Sequence, residues 1–366
     1  MPNIQNNNTW LQKAYTEFSM ALVNNANLKS YAEPLIQPFF PLWSASDYRA
    51  QVKQVRSENS SCYTLVLKPT KTWPGFQPGQ YIELHVIKNG VKVSRCFSIS
   101  SAPEQFTKMG TIELTIRAQD NGRITPWLQQ ALTETSTVGL SAAQGNFIIK
   151  DRSRPILMIA GGSGITPFRS YLHSQALIKP TQTASLLYYA RNQGGHLFEQ
   201  ELNSICDNNK YLTTHLMNTA KTGHFSLQQQ LPNYQDYDIY ICGPNSMIKD
   251  VNNVLLDAKV DEKNIFIERF GPAPVDFSQL DKAGTVNFNQ SNKSAELGSN
   301  TNLLDLAENI GLQPEHGCRM GICHKCSCRK KSGVVYNTLT NNYSDTGQED
   351  IQLCVSVPVG EVVIEL

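Results

Sequence analysis

The chain has 366 residues, of which 40% are hydrophobic and 17% charged, and its formal net charge is +1. This composition permits ordinary folded cores, argues against extensive disorder, and gives no reason to expect nucleic acid or an anionic membrane as a partner. At roughly 100–200 residues per domain, the length indicates two to four domains.

Neither a membrane-spanning helix nor a signal peptide is predicted. No run approaches about 18 consecutive apolar residues, and the N-terminus MPNIQNNNTW lacks a basic region followed by an apolar one. The nine cysteines are an odd number, and four of them have the spacing of metal ligands. This usage disfavours a secreted disulfide framework, so we expect a cytoplasmic protein.

Residues 1–47 form a predicted extension before the first domain. Asn8 and Thr9 are expected to cap a helix that runs to about Asn24. Its apolar face comprises Trp10, Leu11, Ala14, Tyr15, Phe18, Ala21 and Leu22. The proline-broken segment 34–43 is expected to be irregular. The helix either packs on its own domain or docks on a membrane-bound partner; without a basic face, direct membrane binding is not favoured.

Residues 48–150 show short alternating strands separated by turn signals. Strands are predicted at 64–67, 81–86, 91–99 and 111–117, with a hairpin turn at Asn89-Gly90. This pattern is typical of an antiparallel barrel. Within it, Thr125 follows Gly122 closely and is predicted to be a helix N-cap.

Residues 151–272 alternate strands with helices and predict an α/β domain with a parallel sheet. The strand at 156–160 runs into a glycine-rich turn and a helix at 166–176, which suits a pyrophosphate. The turn lacks the usual G-x-G-x-x-G spacing, so an ordinary strand–helix turn is the alternative. However, the strands at 184–189 and 237–242 also end in candidate residues, and ligands bind at the carboxyl ends of such strands.

A linker is predicted at 273–282, and four later cysteines carry the most specific motif of the chain. Cys318, Cys323 and Cys326 follow the pattern C-x4-C-x2-C, and Cys354 follows at a distance. This is the ligand spacing of a plant-type [2Fe–2S] cluster. A four-cysteine zinc site usually has two C-x2-C pairs and is disfavoured, and Cys328 is not assigned as a ligand.

The sequence around these cysteines predicts an α+β domain of the β-grasp type over 283–366. A strand is expected at 285–288, a helix at 302–310 and closing strands at 355–366. Six basic residues surround the ligands, namely Arg319, His324, Lys325, Arg329, Lys330 and Lys331. They form either a solvated surface, a docking face for an acidic partner, or a device that raises the cluster potential.

Residues 48–271 resemble the ferredoxin–NADP reductase superfamily, and 283–366 resemble its C-terminal ferredoxin domain. The resemblance implies that Arg95 contacts a flavin phosphate, that Phe97 flanks the isoalloxazine, and that Ser98 hydrogen-bonds near flavin N5. The second flavin phosphate segment corresponds to Ile116, Arg117, Gly122 and Thr125. The nicotinamide segments correspond to Gly161, Gly162, Gly164, Thr166, Pro167, Cys242, Gly243 and Pro244.

Three further assignments follow from the resemblance. Phe270 is expected to shield the flavin, with packing between barrel and sheet as the alternative, and it joins Ser98 and Cys242 as a catalytic candidate. Arg191 is expected to meet a 2′-phosphate, which favours NADPH over NADH. FAD is favoured over FMN. Hydride transfer needs positioning and no activated nucleophile, so no general base is assigned to Asp120, Glu268 or a histidine.

The implied function is electron transfer from NAD(P)H through flavin and the cluster to a partner enzyme. Overall resemblance favours an integral-membrane fatty-acyl desaturase, reached by peripheral contact at the inner face of the membrane. A ring-hydroxylating or alkane oxygenase is the alternative partner. A self-sufficient flavoenzyme and a redox-sensing iron–sulfur interaction module are the other interpretations.

Overall fold

A computed structural model describes residues 32–33, 35–45, 47–119, 122, 124–149, 154–178, 182–191, 195–222, 233–270, 284–296, 301–340 and 342–366. The helix predicted before residue 25 and the linker 273–282 lie outside these residues. No helix within them is long and apolar enough to cross a membrane. The domain boundaries at 47, 150, 272 and 282 stay predictions.

The first sheet is a nearly closed antiparallel barrel with the strand order β4-β3-β6-β1-β2-β5. Its elements are β1 (Tyr48–Ser57), β2 (Cys62–Pro69), β3 (Tyr81–Lys88), β4 (Val91–Ser98), α1 (Pro103–Met109), β5 (Ile112–Arg117), α2 (Thr125–Ala131) and β6 (Thr137–Leu140). A bridge between Ile99 and Leu114 joins the two edges. Asn89 and Gly90 both have positive φ, at 52° and 78°, as the predicted tight hairpin requires.

The second sheet is parallel, with the strand order β11-β10-β7-β8-β9. Its elements are β7 (Ile156–Gly161), α3 (Thr166–Ile178), β8 (Ala184–Ala190), α4 (Glu199–Asp207), β9 (Leu212–Asn218), α5 (Thr219–Thr222), β10 (Asp238–Gly243), α6 (Asn245–Asp257) and β11 (Ile265–Arg269). Successive residues of β7 enter two different cores, because Met158 packs on one face and Ile159 on the other. Burial on both faces explains the continuous apolar strands.

The third sheet is mixed and belongs to the cysteine-rich domain. Its elements are β12 (Thr285–Phe288), β13 (Lys293–Glu296), α7 (Leu303–Asn309), β14 (Ser327–Asn337), β15 (Asn342–Tyr343), β16 (Glu349–Gln352) and β17 (Ser356–Ile364). Strand β12 pairs in parallel with β17, which pairs antiparallel with β14. The apolar face of α7, including Leu303 and Leu304, packs on this sheet. The predicted three-domain fold is therefore confirmed.

Arg169 connects the barrel to the parallel-sheet domain. It lies on α3 and is only 6% exposed. Its Nη1 is 2.7 Å from Glu113 Oε2 in the barrel, and its Nε is 2.6 Å from Glu201 Oε1 on α4. Ser170 Oγ also donates to the Ser101 carbonyl at 2.6 Å. Buried ionic contacts of this kind fix the relative position of the elements that carry them.

Candidate functional site

Strand β4 carries the first three candidate flavin residues. Ser98 is buried, and Phe97 packs against the barrel core. Arg95 Nη1 donates to the carbonyls of Ser94 and Gly317, at 2.8 and 3.4 Å. The second of these contacts places the guanidinium at the boundary between the barrel and the cysteine-rich domain.

The second candidate flavin segment lies at the end of β5 and the start of α2. Arg117 Nη1 lies 3.8 Å from the position that a Cβ on Gly162 would occupy, so this segment approaches the glycine-rich turn. Ile116 is buried and leaves only its backbone for a ligand. The N-cap prediction for Thr125 is wrong. Thr125 is the first residue of α2, and its hydroxyl accepts a hydrogen bond from Gln119 N at 3.2 Å instead.

The glycine-rich turn after β7 packs directly on the end of β10. A Cβ on Gly164 would lie 2.1 Å from the Cys242 carbonyl oxygen, and one on Gly161 would lie 2.6 Å from Met247 Sδ. A Cβ on Gly243 would meet the same methionine at 2.6 Å. Only glycine permits this approach of the two strand ends, and the turn then opens α3 at Thr166-Pro167. The arrangement fits a nucleotide pyrophosphate.

The other nucleotide candidates lie at neighbouring strand ends. Thr166 is buried and donates to the Ser163 carbonyl at 3.0 Å, which stabilises the turn. Tyr188 Oη supports the same turn from β8 by donating to the Gly162 carbonyl at 2.9 Å. Arg191 follows β8 and is exposed, so its side chain is free to reach a ligand at the carboxyl edge of the sheet.

Cys242 and Glu268 lie side by side on β10 and β11, where they are paired in register. Burial raises the pKa of the Cys242 thiol well above its usual range, so the thiol is neutral. Burial also raises the pKa of Glu268 to about 7. No site role was predicted for Glu268, although this carboxylate directly follows the apolar run Ile265–Ile267 and precedes Arg269 within the strand.

Tyr81 marks the point where the three domains meet. It pairs with Ser98 in the barrel. Its pKa is raised by burial first and then by the negative forms of Cys96, Glu268, Cys318 and Glu83. Glu268 belongs to the parallel-sheet domain and Cys318 to the cysteine-rich domain. Direct approaches also join the barrel to both domains: Arg95 Nη1 donates to the Gly317 carbonyl at 3.4 Å, and Arg117 Nη1 lies 3.8 Å from the Cβ position of Gly162.

Phe270 immediately follows β11 and is 40% exposed. A side chain with that exposure is not a buried packing residue between barrel and sheet, which was the alternative considered from the sequence. Its shielding role stays a prediction.

The four candidate ligands converge in the third domain. Cys318, Cys326 and Cys354 are 2–4% exposed, and Cys323 is partly buried. Their sulfurs accept hydrogen bonds from the loop: Gly321 N donates to Cys354 Sγ at 3.2 Å, and Cys323 N donates to Cys318 Sγ at 3.3 Å. Gly321 has a φ of 74°, which the close turn requires.

The thiols form two pairs rather than one group. Cys326 Sγ and Cys354 Sγ are 3.2 Å apart, and Cys318 and Cys323 are joined by two hydrogen bonds in which the backbone N–H of each donates to the Sγ of the other, at 3.2 and 3.3 Å. Within the described ranges, no three His, Cys, Asp or Glu side chains are grouped as a single ion would need. Two pairs of sulfurs supply two metals with two thiolates each, so the donor set fits a cluster with two irons. Cys328 Sγ is directed at the Glu365 carbonyl, at 3.0 Å.

The basic residues around the ligands have partners within the chain. Arg319 pairs with Asp305 and Glu308, and Lys325 pairs with Glu83 in the barrel. Ion pairs also join Arg329 to Asp350, Lys330 to Glu349 and Lys331 to Glu365, while His324 Nδ1 contacts Gln352 Nε2. These pairs offset most of the positive charge, which weakens the interpretation of this rim as an open docking face for an acidic partner.

Three protein families match successive parts of the chain. The oxidoreductase FAD-binding domain matches residues 48–149, the oxidoreductase NAD-binding domain matches 158–253, and the 2Fe-2S iron–sulfur cluster binding domain matches 286–359. These matches confirm the predicted cofactors FAD, NAD(P)H and a [2Fe–2S] cluster.

Two relatives and one solved structure match most of the chain. An NADPH oxidoreductase of Mycobacterium tuberculosis is 30% identical over 333 residues, which is 89% of this chain and 86% of the relative. A glycine betaine monooxygenase reductase subunit of Chromohalobacter salexigens is 26% identical, over 79% of this chain and 87% of the relative. The fold of phthalate dioxygenase reductase matches with a TM-score of 0.62 at 21% identity, covering 87% of this chain and 97% of that one.

Proposed function

The chain belongs to the ferredoxin–NADP reductase family, in the group with a C-terminal [2Fe–2S] ferredoxin domain, and we propose that it is the reductase component of an oxygen-activating enzyme system. As a member of this group it is an oxidoreductase that transfers electrons from NAD(P)H through flavin and the cluster. Bound flavin supplies the conversion between a two-electron hydride donor and a one-electron carrier. The finer proposals concern the residues that perform this transfer and the enzyme that receives the electrons.

One observation carries the proposal for the site. The barrel approaches both other domains through candidate flavin residues: Arg95 Nη1 on β4 donates to the Gly317 carbonyl beside the first cluster ligand at 3.4 Å, and Arg117 Nη1 lies 3.8 Å from the Cβ position of Gly162 in the glycine-rich turn. We assign Arg95, Arg117, Gly122 and Thr125 to the flavin phosphates. Phe97 and Ser98 would hold the isoalloxazine, Cys242 would lie beside the nicotinamide, and Phe270 would shield the flavin.

The cluster is proposed as the point where electrons leave the protein, and Cys323→Ser tests this direction. The variant should retain bleaching of the flavin by NADPH, because the flavin and nucleotide residues are unchanged. It should lose electron delivery to the acceptor, because one iron lacks a thiolate. Stopped-flow absorbance and acceptor turnover measure the two steps separately. If the variant still supports its natural acceptor, the flavin reduces that acceptor directly.

The acceptor is proposed to be an enzyme that activates oxygen. Curated relatives include the glycine betaine monooxygenase reductase, a component of the Escherichia coli phenylacetyl-CoA epoxidase, and the electron transfer component of a Burkholderia cepacia halobenzoate dioxygenase. An integral-membrane fatty-acyl desaturase also needs a supply of single electrons. It is the specific partner that we propose. Exposed apolar side chains near the N-terminus support contact near a membrane: Leu35 is 76% exposed, Phe39 81% and Phe40 66%.

Reconstitution identifies the partner. Two mixtures are prepared, and each contains the purified reductase and NADPH. The first also contains a membrane desaturase and the second a soluble oxygenase, and product formation is measured in both. If the partner is a desaturase, product forms only in the first mixture. Changing Phe39 and Phe40 to serine should then abolish electron delivery to the desaturase, whereas reduction of cytochrome c should persist. Product only with the oxygenase would reject the desaturase and keep the reductase assignment.

A further inference from the structure

One residue inside the cluster motif makes an ionic contact with another domain. Lys325 lies between the ligands Cys323 and Cys326, and its Nζ is 3.2 Å from Glu83 Oε2 on strand β3 of the barrel. The side chain of Lys325 is 41% exposed, whereas that of Glu83 is only 6% exposed. A buried carboxylate without a cationic or hydrogen-bonding partner is costly, so Glu83 stabilises the arrangement in which Lys325 reaches it.

A second contact joins the same two surfaces. Arg95 Nη1 donates to the carbonyl of Gly317, the residue before the ligand Cys318, at 3.4 Å. A Cβ on Gly317 would lie 3.1 Å from Lys325 Cδ, so the two contacts are adjacent on the cluster loop. On the barrel side they are adjacent as well, because Glu83 pairs with Cys96, the residue next to Arg95.

The contact between Lys325 and Glu83 lies next to the residues that are assigned to the flavin. Cys96 lies between Arg95 and Phe97, and the resemblance assigns both of these residues to the flavin. The cluster loop is therefore held against the part of the barrel that borders the flavin site. Electron transfer between two centres slows steeply as their separation grows, so a contact that fixes this separation also governs the transfer rate.

We infer that Lys325 and Glu83, the docking pair, position the ferredoxin domain for electron transfer from flavin to cluster. The inference rests on the proposed function, because it assumes that the two cofactors exchange electrons within one chain. With both cofactors bound, the reduced flavin would give up one electron and the cluster would accept it. The docking pair forms and breaks no covalent bond, so it is a positioning pair.

A substitution series in the holoenzyme separates positioning from general stability. Lys325→Met removes the charge with little change in length, and Lys325→Arg retains the charge. Lys331→Met is the matched control, because the Nζ of Lys331 pairs at 3.2 Å with Glu365 of its own domain. The reductase is mixed anaerobically with NADPH in a stopped-flow instrument, and flavin reduction and cluster reduction are followed at separate wavelengths.

Lys325→Met should slow cluster reduction at least tenfold and leave the rate of flavin reduction within twofold of wild type. Lys325→Arg should recover most of the lost rate, and Lys331→Met should match the wild type. Cluster reduction by Lys325→Met at the wild-type rate overturns the inference. Equal slowing by Lys331→Met also overturns it, because the effect would then come from the ferredoxin domain itself.

A second measurement does not depend on the cofactors. A carbodiimide joins a carboxylate to a lysine amine in direct contact, forming an amide with loss of water. Treatment of the full chain should yield a peptide that links Glu83 to Lys325, detected by mass spectrometry, and Lys325→Met should not yield it. Absence of this peptide from the wild type overturns the docking. If neither NADPH nor NADH reduces the flavin, the proposed function fails, and the cross-link alone decides whether the domains dock this way.

Discussion

Replacement of Lys330 by methionine is expected to destabilise the ferredoxin domain selectively. Lys330 lies on β14 and has no exposed surface. Its Nζ donates to the carbonyls of Gly333, Asp345 and Gly347 at 2.9, 2.8 and 2.5 Å, and lies 3.4 Å from Glu349 Oε1. The ammonium group therefore organises the loop before β16, the strand that leads to the ligand Cys354. Methionine fills the same space but donates no hydrogen bond.

The size of the effect follows from these contacts. Removing one partner from a fully buried ionic contact costs about 3–5 kcal/mol, and the cost is lower here because water can solvate the Glu349 side chain, which is 35% exposed. The loop opens to water in part, so we expect a loss near the lower figure, about 3 kcal/mol. For a domain of 60–100 residues, 1 kcal/mol corresponds to about 4–8 °C, which predicts a fall in melting temperature of roughly 12–24 °C.

Thermal melts of the holoenzyme test this prediction. Cluster absorbance reports the ferredoxin domain, and release of fluorescent flavin reports the barrel. Lys330→Met should lower the first transition and leave the second unchanged. Lys331→Met is the control, because its side chain is 39% exposed and an exposed ion pair contributes about 0–1 kcal/mol. A cluster transition that falls equally in both variants, or that does not fall in Lys330→Met, would refute the reasoning.

Three further predictions concern the nucleotide domain. Arg191→Ala should raise the KM for NADPH much more than that for NADH, and equal effects would reject the contact with a 2′-phosphate. Gly164→Ala places a Cβ 2.1 Å from the Cys242 carbonyl oxygen, so it should weaken nucleotide binding. A strain of about 1–3 kcal/mol should raise the KM for the nucleotide about tenfold. Gly347→Ala is the control, because no atom lies within 4 Å of the added Cβ. Because burial raises the pKa of Glu268 to about 7, its ionisation destabilises the folded state as pH rises from about 4.5 to 7. Glu268→Gln should therefore raise the melting temperature more at pH 8.5 than at pH 4.5, and an equal gain at both values would contradict that cause.

Local sequence patterns predicted the parts of the fold that depend on local physics. The strand at β12 agrees with its predicted bounds, and the Asn89-Gly90 turn has the backbone that these residues favour. The four ligands were recognisable because three of them lie within nine residues. By contrast, β9 reads LTTHLMN, with polar residues on an outer strand of its sheet, and no apolar run marked it.

The partners of individual side chains were beyond the reach of sequence patterns. Thr125 beside a glycine predicted an N-cap, but its hydroxyl bonds to Gln119 N and the helix begins at Thr125 itself. Nothing near Glu83 in the sequence indicates that its carboxylate meets Lys325, 242 positions away. The basic residues near the cluster suggested a positively charged surface, because their acidic partners could not be identified from the sequence. Their partners became visible only once the folded chain brought acidic residues to them.

Two ion pairs join the barrel to its neighbouring domains, Arg169–Glu113 and Lys325–Glu83, and they differ in how deeply they are buried. Arg169 is buried, is held in place by Glu201 of its own domain and pairs across the boundary with Glu113 of the barrel, so this contact favours the fixed alignment that hydride transfer requires. Lys325 is 41% exposed and meets one carboxylate, so its contact is weaker and more readily screened by salt. In the proposed docking, a contact of this strength would hold the cluster loop beside the flavin site and would still allow the ferredoxin domain to separate. A domain that must serve the flavin and then an external acceptor needs that combination.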